Sequence, residues 1–424
     1  MTSQRRIGIW LIGSKGGVAI ATIVGLVALK KGLVASTGLV SLLPEFADLD
    51  LVSWDDLVIG GHEIRGLSLC REAYRVTTEM RAASREVIDQ CQDELERIEA
   101  RIRPGTAWNV GTTIAALTDL DIPQGETPRQ IVDRLQGDLR RFQQCEKLDH
   151  LIVVNVASTE PPLALAVPLG QHLPMVGEMP PKDGTSSASL PATWAELEPC
   201  LQSPDCPLPA SSLYAIAALD LGSSYINFTP SLGAAPAAID ELVRLRGGRH
   251  AGCDGKTGET LLKSVLAPMF AARNLQVMSW VSHNIFGNMD GRVLDDPANK
   301  RAKLESKDRL LGEILGYKPQ THISIEFIES LGDWKTAWDH IHFAGFLGTP
   351  MTFQFIWQGC DSVLAAPLVI DLIRFTELAR HRGETGLLKF LASFFKSPLG
   401  VVEHSFVHQF QMLQQWSEGD TAKG

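Results

Sequence analysis

Ile7-Gly-Ile-Trp-Leu-Ile12, then Gly13-Ser-Lys-Gly-Gly17, then Val18-Ala-Ile-Ala-Thr-Ile-Val-Gly-Leu-Val-Ala-Leu-Lys30 decide the fold class. The first run is short, apolar and β-branched, as a buried strand is. The second is a tight glycine turn. The third, over 19–30 above all, has the composition and length of a helix. Strand, glycine turn and helix open a dinucleotide-binding fold, because glycines let backbone N–H groups approach a pyrophosphate at the positive end of a helix. The spacing Gly-x-x-Gly-Gly departs from the Gly-x-Gly-x-x-Gly fingerprint, so the motif is weak while the physical need is still met. Arg5 and Arg6 precede the run, which therefore also imitates a signal peptide or membrane anchor. Lys15 inside it, and the breaks at Gly13, Gly16 and Gly17, favour a buried strand, turn and helix, with no membrane partner.

The chain of 424 residues exceeds one small core and points to two domains, or one large domain with an insertion. A net charge of −10 argues against nucleic acid as a partner, because binding a phosphate backbone needs a basic surface. An acidic chain that handles an anion must gather its cations locally, and 300–307 holds such a group. Cys70, Cys91, Cys145, Cys200, Cys206, Cys253 and Cys360 form an odd set at wide spacings without a Cys-x-x-Cys. That suits reduced thiols in a cytoplasm better than a disulfide framework or a zinc site. His62, His283, His340 and His342 show no metal-ligand spacing, so no metal is expected.

Leu57-Val-Ile59 reads as a second short strand ending at Gly60-Gly61, and 71–103 as one long polar helix packing on one stripe. The β-branched run over 151–156 reads as a central parallel strand. Ala157-Ser-Thr-Glu160 follows at its C-terminal end, where open α/β sheets bind ligands. The stretch 171–189, rich in Pro, Gly and Ser, reads as a long surface loop or insertion. A helix is expected over 211–220, and a strand leading into a turn over 225–231. From about 261 the pattern changes: helix over 261–272, strand over 277–282, then strand, helix and strand over 322–328, 336–345 and 352–357. Ile323, Ile325 and Phe327 on one face suggest a half-covered sheet. Helices are expected over 367–378 and 386–395.

Between 251 and 307, polar clusters directly flank apolar runs, which puts polar groups at the ends of buried elements, where sites are usually built. The motifs there and around them are Asn227-Phe-Thr-Pro-Ser231, Gly252-Cys-Asp-Gly-Lys-Thr-Gly258, Asn284-Ile-Phe-Gly-Asn-Met-Asp-Gly291, Ser306-Lys307, Gly332-Asp-Trp-Lys335, Asp361-Ser-Val-Leu-Ala-Ala-Pro367 and Phe395-Lys-Ser-Pro-Leu399. In order and spacing they resemble the myo-inositol-phosphate synthase (inositol-3-phosphate synthase) family. The resemblance covers most of the chain, strongly from about 220 to 400.

The resemblance implies an α/β fold: a Rossmann-type NAD-binding domain over 1–250, completed by 365–424, with an inserted α+β domain over 251–364 for catalysis and homotetramer contacts. It implies NAD as cofactor and glucose 6-phosphate as substrate. NAD takes hydride from C5, the ketone acidifies the C6–H, the enolate closes on the C1 aldehyde, and the hydride returns. Each stage develops negative charge on oxygen, which fixed ammonium groups in a dry site stabilise, and crowded lysines lower one another's pKa. The family's lysines match Lys303 and Lys396, for proton traffic and oxyanion stabilisation around C5, and Lys307 and Lys335, for the phosphate and the C1 carbonyl. Asp361 and Asp290 match acids that orient lysines or NAD. The resemblance also assigns Gly13, Ser14, Gly16, Gly17, Val18, Ala157, Ser158, Thr159, Asp254, Thr257, Gly258 and Asn288, with Asp290 and Asp361, to the cofactor. Asn227, Thr229, Ser231, Thr260 and Asn284 go to the substrate.

Taken singly these residues have plainer readings. Lys303 and Lys307, one helical turn apart, also fit a solvated face. Lys335 fits a strand end and Asp361 a helix N-cap. Lys396, between Phe394-Phe395 and Ser397-Pro398, fits a buried site better. The chain departs from the family at Cys253-Asp254 (usually two acids), at Met289 (usually Asn) and at Gly61-His-Glu63 (usually Gly-Trp-Asp). The departures spare the lysines and bring a second sugar phosphate into play, fructose 6-phosphate closed to a five-membered cyclitol phosphate. A non-catalytic NAD-binding protein and a conventional dehydrogenase are the remaining alternatives.

Overall fold

The computed structural model describes residues 5–161, 190–288, 291 and 311–419. The loop expected over 171–189 lies outside them, as do Asp290, Lys303 and Lys307.

Strand β1 (Ile7–Ile12) is buried along its whole length. It pairs in parallel with β2 (Leu57–Glu63) on one side and with β4 (His150–Asn155) on the other. Both its faces are covered by helices, which is why its sequence does not alternate. Outward lie β3 (Ile102–Pro104) beside β2, and β5 (Ser224–Asn227), β6 (Arg249–Gly252) and β11 (Gly386–Leu387) beyond β4. Among the described residues this sheet has seven strands, all parallel, in the order β11-β6-β5-β4-β1-β2-β3. The order reverses between β1 and β4. In a doubly wound sheet that point opens a crevice above the carboxyl ends of the strands.

The main helices are α1 (Gly17–Lys30), α2 (Arg85–Glu99), α3 (Pro128–Glu146), α4 (Ala210–Leu219), α5 (Ala237–Arg246), α6 (Gly258–Ala272), α7 (Asp361–His381) and α8 (Phe406–Glu418). α1, α2 and α7 cover one face of the sheet, with Ile20, Ile23 and Leu26 packed with Val369 and Ile373 in one core. α3, α4 and α5 cover the other. α4 is buried at every residue and accordingly has no charged side chain. α3 starts on a capping box, in which the Thr127 hydroxyl accepts from Gln130 N and Gln130 returns a bond to Thr127 N.

A second sheet contains β7 (Gln276–Phe286), β8 (Gln320–Phe327), β9 (Trp334–Ala344) and β10 (Pro350–Cys360), in the order β10-β9-β7-β8. β7 and β8 are parallel and the other pairs antiparallel. α6 covers one face, with Ala267 and Phe270 against Trp280 and Ile341. Beneath it Lys263 Nζ sits 2.5 Å from Glu259 Oε1 and donates to Ser282 Oγ at 2.7 Å. Asp339 accepts from Trp280 Nε1 at 2.6 Å. All these side chains are buried.

Four expectations are corrected. The helix expected over 336–345 is the central strand β9. Its residues alternate, with Ala337, Asp339 and Ile341 buried, and Thr, Trp, Ile and Phe suit a pleated surface. The single helix expected over 71–103 is broken: short helices end at Thr78, Arg81 takes φ +55, and α2 begins only at Arg85. The helix expected over 386–395 is the edge strand β11 followed by a 3₁₀ stretch, Lys389–Phe394. Asp361 is the first residue of α7 and not its N-cap, which is Cys360. β2 also runs through Gly60-Gly61 to Glu63. No helix of the described residues is long and apolar enough to cross a membrane.

Candidate active site

The chain leaves β1 through Gly13, at φ +76. A Cβ there would lie 2.7 Å from the Ala157 Cα, so only glycine fits. Gly13 N and Ser14 N donate to the His62 carbonyl, and Gly16 N to that of Gly13. This folds the turn back onto β2 and aims α1 at the crevice. Gly16 caps α1 without a side-chain bond, which leaves the first N–H groups of the helix for a ligand. The start of α7 crowds the same place: a Cβ on Gly17 would stand 2.5 Å from Ser362 Oγ. Lys15 turns away, its backbone N–H donating to Glu63 and its ammonium reaching the Leu67 carbonyl and Glu99.

Above the strands lies a cavity of about 240 Å³, far larger than the one-water voids of a packed interior. Gly13, Gly16, Gly17 and Val18 line it at the β1 turn, and Ala157, Ser158 and Thr159 at the end of β4. Asp254, Thr257, Thr229 and Asn288 line it from the neighbouring loops, Thr260 from the first turn of α6, and Lys335, Asp361 and Lys396 complete it. Lys396 Nζ donates to Asp254 Oδ1 at 2.9 Å, while Lys396 N donates to the Asp254 carbonyl at 2.6 Å. Lys335 Nζ lies 3.6 Å from Asp361 Oδ2 and 5.5 Å from the Phe286 ring. The first pair joins residues far apart in the chain, and the second joins the two ends of the β9–β10 hairpin.

Other expected residues stand back from the cavity wall. Asn227 spends its amide on its own turn, donating to the Ser231 carbonyl at 2.6 Å and accepting from Thr229. Ser231 Oγ accepts from Glu160 N. Ser14 is buried against Gly61, and its hydroxyl has no partner. Gly258, at φ +56, starts α6 beside Trp357. Asn284 is fully buried with neither amide atom bonded. Asp361 Oδ1 is likewise buried without a partner. Of these, only Asp361 reaches the cavity wall, where its open acceptor is available to water or a ligand.

The sequence reading passed over several wall residues. Glu63, at the end of β2, accepts from Lys15 N, Ile64 N and the Arg65 guanidinium. Arg75 is held by Glu72 and Glu79. Glu160 and Asp333 also line the cavity. Burial raises the Asp333 carboxyl, which accepts from the Cys360 thiol at 3.0 Å, and pushes that thiol up to about 12. Burial likewise pushes Cys253 up to about 12, so it stands neutral where an acid was expected. Asp333 was visible inside Gly332-Asp-Trp-Lys335 and Glu160 at the end of Ala157-Ser-Thr-Glu160. Among the described residues no group of three or more His, Cys, Asp or Glu side chains is arranged to hold a metal.

The model of the myo-inositol-1-phosphate synthase family, an NAD-binding family, matches residues 7–417. The chain belongs to that family. Inositol-3-phosphate synthase 1 of Bacteroides thetaiotaomicron is 30% identical over 97% of this chain and 93% of its own length. The rat inositol-3-phosphate synthase 1 is 28% identical over 84% of this chain, which spans only 62% of that longer protein. In structure, an inositol-3-phosphate synthase of Caenorhabditis elegans matches with a TM-score of 0.82 at 23% identity, over 98% of this chain and 86% of that one. A myo-inositol-1-phosphate synthase-related protein of Thermotoga maritima matches at 0.72 and 23%, over 97% and 98%. These two likenesses establish the shared fold: a Rossmann-like parallel sheet joined to a second sheet. Membership of the synthase family makes the chain an isomerase of the intramolecular-lyase kind.

Proposed function

We propose that the chain closes glucose 6-phosphate into inositol 3-phosphate by a redox-neutral cyclisation that uses NAD without consuming it. One observation carries the reading: Lys335, Lys396, Asp254 and Asp361 meet the glycine turn in a single cavity. NAD, when bound, supplies the couple that takes a hydride from the sugar and gives it back. Gly13, Gly16, Gly17 and the start of α1 would hold its pyrophosphate, with Val18, Ala157, Ser158, Thr159 and Thr257 around the rest. The unpartnered Asp361 Oδ1 on the cavity wall supports the fit.

The remaining work falls to side chains. A ketone at C5 acidifies the C6–H; a base must take that proton while a donor holds the oxygen that gains charge. We assign Lys396, fixed by Asp254, to that task together with Lys303. When C6 attacks C1, the aldehyde oxygen becomes an alkoxide and needs a cation beside it. We assign Lys335 there, with Lys307 on the phosphate, and Asp361 and Asp290 to orienting these groups. Thr229, Thr260 and Asn288 would complete the sugar-phosphate channel, backed by Asn227, Ser231 and Asn284. The dinucleotide half is assigned to 1–250 with 365–424, and catalysis and the contacts of a cytoplasmic homotetramer to 251–364.

A second reading, ring closure of fructose 6-phosphate, is raised by the departure from the family's paired acids at Cys253-Asp254, where a neutral buried thiol replaces a carboxyl. Incubation with each sugar phosphate and NAD, then NMR of the product, separates the two. A six-membered inositol phosphate from glucose 6-phosphate supports the first. A five-membered ring from fructose 6-phosphate replaces it with the second. Steady accumulation of NADH would make the protein an ordinary dehydrogenase, and bound NAD without turnover a non-catalytic binder.

A further inference from the structure

Glu160 has no assigned task, yet its placement is costly. It is 8% exposed and lines the cavity just beyond β4. Its carboxylate meets only neutral donors, Ser211 N at 2.7 Å and Ser211 Oγ at 2.5 Å. Among the described residues no cation stands within ion-pair distance of it. Burying a carboxylate without a cation is unfavourable, and burial pushes this carboxyl up to about 7 against the pull of the Ser211 and Ser231 bonds. The groups around it are uncharged near neutrality: Ser211 and Tyr214 on α4, Tyr225 on β5, and Ser231 in the turn after it.

The side of the crevice decides what charge Glu160 faces. A dinucleotide straddles the switch point of such a sheet, with the adenosine ribose near the acid that ends β2 and the second nucleotide over the far strands. Glu63 ends β2, and Glu160 comes after β4 on the far side. Of the two redox forms of the cofactor, only the oxidised one carries a positive nicotinamide ring.

We propose that Glu160 is a positioning residue that biases the cavity toward the oxidised dinucleotide by supplying the counter-charge for its cationic ring. The inference rests on the NAD reading above and adds a preference between redox forms that the reading does not contain. It also predicts a proton linkage. NAD+ binding near pH 7 favours ionised Glu160 and releases a fraction of a proton, and NADH binding does not.

Isothermal titration calorimetry of the full chain with NAD+ and with NADH tests this without turnover. Measurements in buffers of different ionisation enthalpy at pH 7 give the protons released. The expected result is that Glu160→Gln weakens NAD+ relative to NADH by roughly three- to tenfold and abolishes the NAD+-linked proton release. An unchanged NAD+/NADH ratio in a folded Glu160→Gln variant overturns the proposal. Should that variant not fold, Ser211→Ala removes a donor from the carboxylate without touching its charge. The pH at which the NAD+ preference sets in should then move upward, and a fixed midpoint overturns the proposal. Failure of the wild-type chain to bind either form would instead sink the NAD reading itself.

Discussion

At the scale of single residues, Gly17 has no room for a side chain. A Cβ at that position meets Ser362 Oγ and lies 3.4 Å from Asp333 Oδ1, so Gly17→Ala must push two helix starts apart where the pyrophosphate is expected. NAD affinity should fall about tenfold or more by calorimetry, with circular dichroism unchanged; an unaltered Kd would remove the turn from the cofactor site. Lys396→Met should leave NAD affinity within a few-fold and lower kcat by roughly 10²- to 10⁴-fold. Retained turnover would take Lys396 out of proton transfer. Lys396 was legible because an aromatic pair such as Phe394-Phe395 tends to bury its neighbour in the chain. Glu160 was not: the sequence places it at a strand end, but nothing in the string says that its carboxylate is met by the amide and hydroxyl of Ser211, on α4, with no cation within ion-pair distance among the described residues. Asn227 and Ser231 show the converse. Their motif identified the right turn, while their side chains serve to brace it and leave Thr229 on the wall.

At the scale of elements, β1, β2, β4 and β5 of the parallel sheet and the helices α1, α4 and α6 were legible because each carries one unbroken signal, whereas β3 and β11 lay inside stretches read as helix and the short β6 gave no signal of its own. β9 was not. Its Thr-Ala-Trp-Asp-His-Ile-His-Phe stretch holds an acid and two histidines, and a strand with a buried Asp339 makes physical sense only once Trp280, Ser282 and Lys263 are seen around it. That network gives a stability test. Lys263→Met would remove the ammonium that Glu259 and Asp339 share in the buried cluster and should cost about 3–5 kcal/mol, read from the denaturant midpoint. Adding Glu259→Gln and Asp339→Asn should restore part of the loss, since the stranded charges go with the lysine. A neutral single substitution would show that water reaches the cluster.

At the scale of the whole molecule, buried titratable groups pull stability in opposite directions with pH. His150 is held down to about 3 by burial and by Arg249 beside it, against 6.5 when free. Its contribution is complete above 6.5 and is lost as pH falls through that value toward 3. Glu160 is raised from 4.5 to about 7 and Asp371 from 3.8 to about 6, both by burial. Their contributions are complete below the lower values and are lost as pH rises to the upper ones. Unfolding free energy against pH should therefore lose slope between about 4.5 and 7 in Glu160→Gln, and between about 3 and 6.5 in His150→Asn. An unchanged profile in either variant would show that the group titrates normally in the folded chain.

The amide of Val40 donates to the Asp371 carboxylate, 331 residues further on, and α1 nearby is covered by α7. On a ribosome adding about 5–20 residues per second, α1 emerges roughly 15 to 65 seconds before its cover exists. Through that interval a helix with an almost wholly greasy surface waits in the nascent chain. Premature termination before α7 should therefore yield aggregates, and holdase chaperones should engage the earliest segment to be translated.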